Sequence, residues 1–418
     1  MVSQAAGVGG STITACQICQ SSPLFEVLDL GRQALANAYL RDESGIPGEP
    51  TFPLTLCLCE ACGYVQINEK VSPEVLFKNY LYVTGVSEAV QHHAARLVEL
   101  VTRTAGNASG SILEAASNDG TVLAAFQRRG WKVIGVDPAE NVAAMANARG
   151  IPTVADFFGV ASAERLVGRN GPVDVFLARH VIAHVAALHD FVEAVNVVLR
   201  HDGVAAIECS YVLPLYEGLQ YDQVYHEHLG YFSVTVLRRL LAMHGLDLFA
   251  AEQVGMHGGS IVAFAQKQGG TRSRHESVER LIQQEATRKL TSREAWTDFA
   301  RRAYEQRAAL CSELQALKGA GKRIAAYGAA AKGQVMLQFC RIGRALIDFV
   351  VDKSDLKQGR LTPGTHLPIL PPEALLARQP DVLLLNAWNY AEEIQRQQKD
   401  YLERGGRLLH PLPQPHYL

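Results

Sequence analysis

The sequence predicts an α/β multidomain protein: a small N-terminal metal-binding domain, then two units in which strands and helices alternate. Three observations carry this. Five of the eight cysteines (Cys16, Cys19, Cys57, Cys59, Cys62) fall in the first 62 residues. From Ser111 short apolar runs alternate with helical periods, the pattern of a mostly parallel sheet covered by helices. A glycine-marked break at 268–274 and a stretch free of Pro and Gly from Glu276 to Lys318 precede a second alternation from Lys322. A length of 418 residues admits two to four domains at roughly 100–200 residues each. The breaks divide the chain into 1–75, 76–267 and 268–418.

Residues 1–10 are small and Gly-rich and read as a disordered start. Residues 16–68 are punctuated by Pro and Gly and show little helical period. Over 77–103, apolar residues at helical spacing (Val90, Ala94, Leu97, Leu100, Val101) predict a helix into the next domain. Then come a strand at 112–115, a helix at 121–129, a strand at 132–136, a helix at 141–149 and strands at 152–154 and 173–177. A helix at 188–200, a strand at 204–207, a helix at 235–244 closed by Gly245, and late strands at 246–251 and 260–265 complete this unit. Residues 276–318 read as one long or two stacked helices. The last unit has strands at 323–327, 346–351 and 382–385, with a helix after Gly328.

A net charge of −2 gives no global basic field for nucleic acid or an anionic membrane. No apolar run approaches 18 residues, so no membrane span is expected, and Met1–Gly10 lacks the pattern of a secretory signal. Clustered cysteines in a large chain without a signal point to metal binding in a reducing cytoplasm. Cys16-Gln-Ile-Cys19 and Cys59-Glu-Ala-Cys62 are two CxxC turns, which together can hold one tetrahedral zinc ion. Cys57 is spare, and could replace Cys59. A closed four-ligand site implies structure rather than chemistry, and so small a segment needs the metal to fold.

In the central unit, the strand that carries Glu114 runs into the turn Ala116-Ser117-Asn118-Asp119-Gly120. Small or left-handed-tolerant residues there suit close approach of backbone to a ligand. Asp137 ends the next strand, where an acid can accept from ribose hydroxyls. Positions 116, 118 and 120 are Ala, Asn and Gly, so there is no G-x-G-x-x-G. Glu114 and Asp119 would repel a pyrophosphate and attract a sulfonium and an ammonium, which favours S-adenosyl-L-methionine over a dinucleotide. Asp156, before Phe157, either caps an adenine amino group or is a solvated helix-start acid.

Tyr225-His226-Glu227-His228 follows the strand ending near Glu208, and Arg179-His180-Val-Ile-Ala-His184 follows the strand at 173–177. Both loops open onto the carboxyl edge of the sheet, where ligands of open α/β sheets bind. Three readings stand: a general base oriented by Glu227, a metal site if His226 and His228 share a strand face, or satisfied structural side chains.

Together these motifs resemble the sugar C-methyltransferases of deoxysugar biosynthesis, which act on nucleotide-linked 4-keto-deoxysugars in antibiotic pathways. The resemblance covers essentially the whole chain. It rests on the two CxxC pairs, Leu28-Asp-Leu-Gly31, Leu35-Ala-Asn37, Ser117-Asn-Asp-Gly120, Tyr225-His-Glu-His228 and His257-Gly-Gly-Ser260. It extends through Tyr327-Gly-Ala-Ala-Ala-Lys-Gly333, Lys357-Gln-Gly-Arg360, Pro363-Gly-Thr-His-Leu-Pro-Ile369 and Trp388-Asn-Tyr390. It implies a zinc-binding domain, a Rossmann-like S-adenosylmethionine-binding methyltransferase domain, and a C-terminal Rossmann-like domain that helps hold the nucleotide sugar. It also implies a base role for His228, support from Tyr225, Glu227 and His184, and entry of Tyr80 or Tyr82 into the site. Tyr327, Ala329, Lys332, Lys357, Arg360 and Asn389 would line the nucleotide-sugar side; the turn Gly328-x-Ala330-x-x-Gly333 with Lys332, Lys357 and Arg360 suits a diphosphate, the alternative being a C-terminal domain with a purely structural role. The sequence departs from the family at Ala116, usually Gly, and at Arg179-His180, where a neutral Asn-type residue is usual.

The expected reaction is removal of the proton alpha to the C-4 ketone by His228, followed by methyl transfer to that carbon, C-3, of a dTDP-type sugar. The alternatives are O- or N-methylation of a nucleotide sugar or other natural-product intermediate, and a non-catalytic zinc-dependent binding protein with a methyltransferase fold. The expected partners are a small nucleotide-sugar substrate and, at most, copies of the same chain, as a monomer or small homo-oligomer, in the cytoplasm.

Overall fold

The computed structural model describes residues 10–72, 76 and 88–418. The N-terminal part is antiparallel: β1 (Gly10–Thr12), β2 (Phe25–Ala34), β3 (Thr51–Leu58), β4 (Val65–Ile67) and β5 (Glu69–Val71). β1 pairs with β5, and β2, β3 and β4 form a sheet whose outer edge is completed by Gly230–Tyr231 from far along the chain. In β3, Phe52 and Leu54 alternate with exposed neighbours, and from Thr55 onward both faces are covered.

The central unit begins with α1 (Glu88–Ala105), which buries Ala94, Leu97, Val98 and Val101 at the i, i+3, i+4, i+7 spacing of one helix face. Next come β6 (Ser111–Ala115), α2 (Thr121–Gln127), β7 (Lys132–Val136), α3 (Glu140–Ala148), β8 (Thr153–Val154), α4 (Val160–Asn170) and β9 (Val173–Arg179). α5 (Leu188–Val198), β10 (Leu199–Ser210), α6 (Val212–Glu217), β11 (Gly230–Tyr231), α7 (Val234–Ala242), β12 (Leu246–Val254) and β13 (Ser260–Lys267) follow. The seven strands of this sheet lie in the order β12-β13-β10-β9-β6-β7-β8. The inner strands are parallel, and β13 runs antiparallel to both its neighbours. Parallel strands covered on both faces bury every side chain, which is why they read as unbroken apolar runs. The order reverses between β6 and β9, so the carboxyl edge of that pair is the crevice where such sheets bind ligands.

Of the two possibilities for 276–318, two helices form: α8 (Glu276–Thr287) and α9 (Arg293–Gly319). Lys289 at φ 54 breaks the chain between them, and the Ser292 side chain caps α9 by accepting from the Ala295 N–H. The buried Glu285 carboxylate accepts from the N–H groups of Val234 and Thr235 at 2.6 and 3.0 Å, so α8 caps the free start of α7. The C-terminal unit comprises β14 (Ile324–Tyr327), α10 (Ala331–Phe339), β15 (Phe349–Val351), β16 (Ile369–Leu370), α11 (Ala374–Arg378) and β17 (Val382–Leu385). α12 (Ala391–Gln397), α13 (Lys399–Glu403), β18 (Arg407–His410) and β19 (His416–Tyr417) complete it. Its sheet order, β16-β15-β14-β17-β18-β19, is the doubly wound Rossmann order. The α/β multidomain class therefore holds.

The three larger sheets share one apolar interior, in which Leu56, Phe176 and Leu384 belong to the same cluster. Among the described residues no helix is long and apolar enough to cross a membrane.

Candidate active site and metal centre

The two CxxC turns bring the sulfurs of Cys16, Cys19, Cys59 and Cys62 within 4.8 Å of one another. Cys16 and Cys62 are 3.5 Å apart, and Cys19 and Cys59 are 3.4 Å apart. Four soft thiol donors at this spacing fit a tetrahedral zinc ion. The Cys62 contact, with the N–H groups of Cys19 and Ile18, draws the Cys16 thiol down to about 5 against the effect of burial. Cys57 stands apart in β3, its sulfur against the Thr55 carbonyl, and is not a fifth candidate. The four thiols brought together are therefore those of the two CxxC turns.

At the end of β6 the chain turns sharply, with Ala116 at φ 52, Asn118 at φ 51 and Gly120 at φ 75. A left-handed alanine costs about 1–2 kcal/mol, so this turn is held by its surroundings. Asp137 supplies the clamp: its two oxygens accept from the N–H groups of Asn118 and Ala139 at 2.8 and 2.9 Å. Burial raises the Asp137 carboxyl above its ordinary range, against these two bonds. Glu114 is fully buried, and Arg179 Nε donates to its Oε1 at 3.0 Å. Its Oε2 and the Ser117 hydroxyl are buried without a hydrogen-bond partner among the described residues. Orphan acceptors beside a switch-point crevice fit a cationic, polar donor molecule. The Asp119 carboxylate is paired within the protein: Arg149 holds it at 2.7 Å and it also accepts from the Thr121 hydroxyl. Asp156 pairs with Arg165, and its N–H bonds to the Asp137 carbonyl, which places it next to Asp137. Phe157 beside it is 62% exposed, a large apolar face open to solvent.

The Tyr225–His228 segment is a turn rather than a strand, so His226 and His228 do not share a face. His226 Nε2 bonds the Pro53 carbonyl of β3 at 3.0 Å and packs edge-on against Phe52, which makes it structural. His228 Nδ1 lies 3.1 Å from the Gln223 carbonyl, and its Nε2 lies 2.8 Å from the Tyr225 hydroxyl. A carbonyl only accepts, so Nδ1 carries the hydrogen and Nε2 keeps the lone pair. Burial, with the His184 ring at a centroid distance of 4.8 Å, holds His228 well below the usual imidazole range and hence neutral. Burial and His180 push His184 itself down to about 4. Glu227 accepts from Asn37 Nδ2 at 2.7 Å, and burial raises it to about 7. The N–H of Leu229 bonds the Ala183 carbonyl at 2.7 Å, tying the two histidine loops together at one sheet edge. Asn37 was visible only as part of a motif, since its partner is 190 positions away. Tyr80 and Tyr82 lie outside the described residues.

On the C-terminal side, the loop after β14 is pinned at Ala329. Its N–H donates to Asp352 at 2.7 Å, and its carbonyl accepts from Lys357 at 2.9 Å and from the Tyr39 hydroxyl. Tyr327 is buried at the strand end, and Arg360 and Asn389 are half-buried. Lys332 is placed deeper than a diphosphate-facing lysine would be. Its ammonium donates to the His257 carbonyl and lies 5.2 Å from the Trp388 ring centre. Asp222, which accepts from Trp388 Nε1 at 2.6 Å, supplies the opposing charge. Burial draws Lys332 down to about 8. Lys332 thus joins the C-terminal unit to the loop that leads into Tyr225–His228.

Three protein-family signatures match in sequence: a zinc binding domain over residues 16–77, a methyltransferase domain over 89–251 and a C-methyltransferase C-terminal domain over 255–413. The C-methyltransferase NovU of Streptomyces niveus is 34% identical over 404 residues, covering 96% of each chain. Among solved structures, PH0226 from Pyrococcus horikoshii OT3 shares 16% identity, covering 47% of this chain and 100% of its own at a TM-score of 0.39. The 1,6-didemethyltoxoflavin-N1-methyltransferase of Burkholderia thailandensis shares 18%, covering 49% of this chain and 96% of its own at a TM-score of 0.36.

Proposed function

The chain belongs to the S-adenosylmethionine-dependent C-methyltransferase family, and from that premise we propose that it methylates C-3 of a nucleotide-linked 4-keto-deoxysugar, with dTDP as the carrier, in antibiotic deoxysugar biosynthesis. The observation that supports this reading best is the state of His228: neutral, with Nε2 as its basic nitrogen and its tautomer set by the Gln223 carbonyl. A carbon beside a ketone is the kind of acid such a base can deprotonate, provided the enolate oxygen is stabilised.

The Tyr225 hydroxyl donates to Nε2 in the resting site. When a substrate ketone enters, that hydroxyl passes its hydrogen bond to the ketone oxygen, which frees Nε2 to take the C-3 proton. Tyr225 then holds the developing enolate oxygen, and Glu227, positioned by Asn37, borders the same turn. Bound S-adenosylmethionine supplies the electrophilic methyl group. Glu114, Asp137 and the strained turn would hold and orient it, and such alignment is worth about 7–11 kcal/mol in favourable cases. Lys357, bound to the Ala329 carbonyl, and Arg360 three residues on would supply positive charge to the diphosphate.

The test is His228→Asn. Wild type should exchange the C-3 hydrogen of the keto sugar in deuterated water without donor, and the variant should not. Methyl transfer should fall by at least about a thousandfold, the scale of a lost general base, with S-adenosylmethionine affinity unchanged. Retained exchange in the variant would sink the base assignment, and a product methylated on oxygen would sink the C-3 reading.

A further inference from the structure

Four of the eight cysteines face the metal site, and Cys57, Cys209 and Cys340 are buried. Cys311, half-buried on α9, is the one thiol outside the metal cluster that solvent reaches. It meets Cys340, the residue that ends α10. In its protonated form Cys311 donates to the Cys340 carbonyl at 3.2 Å, and the two thiols hydrogen-bond to each other. The bond from Cys340, with Arg307 one turn earlier on α9, outweighs burial and draws the Cys311 thiol down to about 7. The Cys311 contact and burial push Cys340 the other way, well above the ordinary thiol range. Beyond Cys340 lies the base loop. The Tyr221 hydroxyl is 3.5 Å from the Cys340 sulfur and donates to Gln306 Oε1 of α9 at 2.6 Å. Tyr221 is buried and opens the turn Tyr221–Gln223, against which α10 packs. The last residue of that turn, Gln223, supplies the carbonyl that sets the His228 tautomer.

We propose that Cys311 is a site of oxidative modification, resolved by Cys340 into a disulfide between α9 and α10, and that closing this bond loosens the turn that holds His228. The oxidant is hydrogen peroxide. The Cys311 thiolate attacks one peroxide oxygen, the O–O bond breaks, and Cys311 becomes a sulfenic acid while hydroxide takes up a proton and leaves as water. The Cys340 sulfur then attacks the Cys311 sulfur. The S–S bond forms, the S–O bond breaks, and the hydroxyl leaves as a second water with the Cys340 proton. Two thiols and one peroxide thus give one disulfide and two waters. A reachable thiolate next to a protonated resolving thiol is the arrangement this chemistry needs. An S–S bond is about 2.0 Å long, so the Cys340 sulfur must move toward α9 from its hydrogen-bonding distance. That movement takes it away from the Tyr221 hydroxyl, and a close-packed interior passes the displacement on to the turn.

The experiment treats the zinc-loaded full chain with a small excess of hydrogen peroxide and maps its peptides without reduction. Zinc content, followed in parallel, shows whether the metal thiolates have reacted. Wild type should yield one linked pair, Cys311 with Cys340, with zinc retained, and a thiol reductant should reverse it. Amide exchange over residues 220–228 should rise roughly fivefold in the oxidised chain, the scale of one lost hydrogen bond. Cys311→Ser, a mild change at a half-buried helix position, should show neither effect. Cys340→Ser should stop at the sulfenic acid, which dimedone captures on Cys311. Oxidation confined to other cysteines, or zinc loss with Cys311 and Cys340 intact, would overturn the site. A Cys311–Cys340 disulfide with unchanged exchange over 220–228 would overturn the coupling to the base turn. Neither readout needs a keto sugar, so failure here is separate from failure of the C-3 reading.

Discussion

Glu114 shows how far one buried carboxylate can set behaviour at neutral pH. Burial raises it to about 7 from an ordinary 4.5, with Arg179 pulling the other way. Only its ionised form attracts an ammonium, so donor affinity should rise with pH up to about 7, by as much as tenfold per unit, and level off above. Glu114→Gln should flatten that profile. Titration calorimetry between pH 5.5 and 8.5 would read it, and a flat wild-type profile would remove Glu114 from the donor site. The same shift acts against the fold. The unfolded chain releases this proton at lower pH, so Glu114 subtracts stability as pH rises from its ordinary value through about 7. The acid itself was legible in the sequence, as a strand-end carboxylate before a turn of small residues. Its pairing with Arg179 was not, nor that of Asp119 with Arg149, because those partners lie 65 and 30 positions away and no local pattern announces them.

The inner strands were legible because double-sided burial leaves an unbroken apolar run. Several other elements were not. Gly230–Tyr231 and Ile369–Leu370 are two residues each, too few for a period, and α4 opens at Gly159 with only Ser162, Ala163 and Leu166 buried. Yet β11 governs the site, because it begins two residues after His228 and pairs Gly230 with Gln66 of β4. A Cβ on Gly230 would sit 1.6 Å from the hydroxyl of the buried Tyr64. Gly230→Ala should therefore cost about 1–3 kcal/mol by overpacking and lower methyl transfer by displacing His228, while donor affinity changes little. Denaturant melts and kcat measured together would check this, and wild-type values of both would show that the two strands can part without consequence.

At the scale of the whole molecule, the N-terminal domain is a connector. Its segment after β2 sends Asn37 to Glu227 in the central unit and Tyr39 to Ala329 in the C-terminal unit. Arg293, at the start of α9, is bound to Glu60 between the second pair of cysteines at 2.7 Å. A structural zinc ion in a small domain supplies folding free energy of order 10 kcal/mol. Its removal by a strong chelator should therefore lower the melting temperature and abolish methyl transfer while leaving donor binding in the central crevice largely intact. Unaltered turnover after verified metal loss would sink this coupling. The four ligands could be read from spacing alone, but the bridging role of Asn37 and Tyr39 depends on contacts across most of the chain. The sheet shared between β4 and β11 also bears on how the protein is made. The partner of β4 leaves the ribosome roughly 160 residues later, about 10–30 s at ordinary elongation rates. Through that interval the nascent β4 has an unpaired edge, the kind of template that invites pairing with other chains. Early metal capture and chaperone cover during synthesis, more than final stability, would then govern how much active protein a cell obtains.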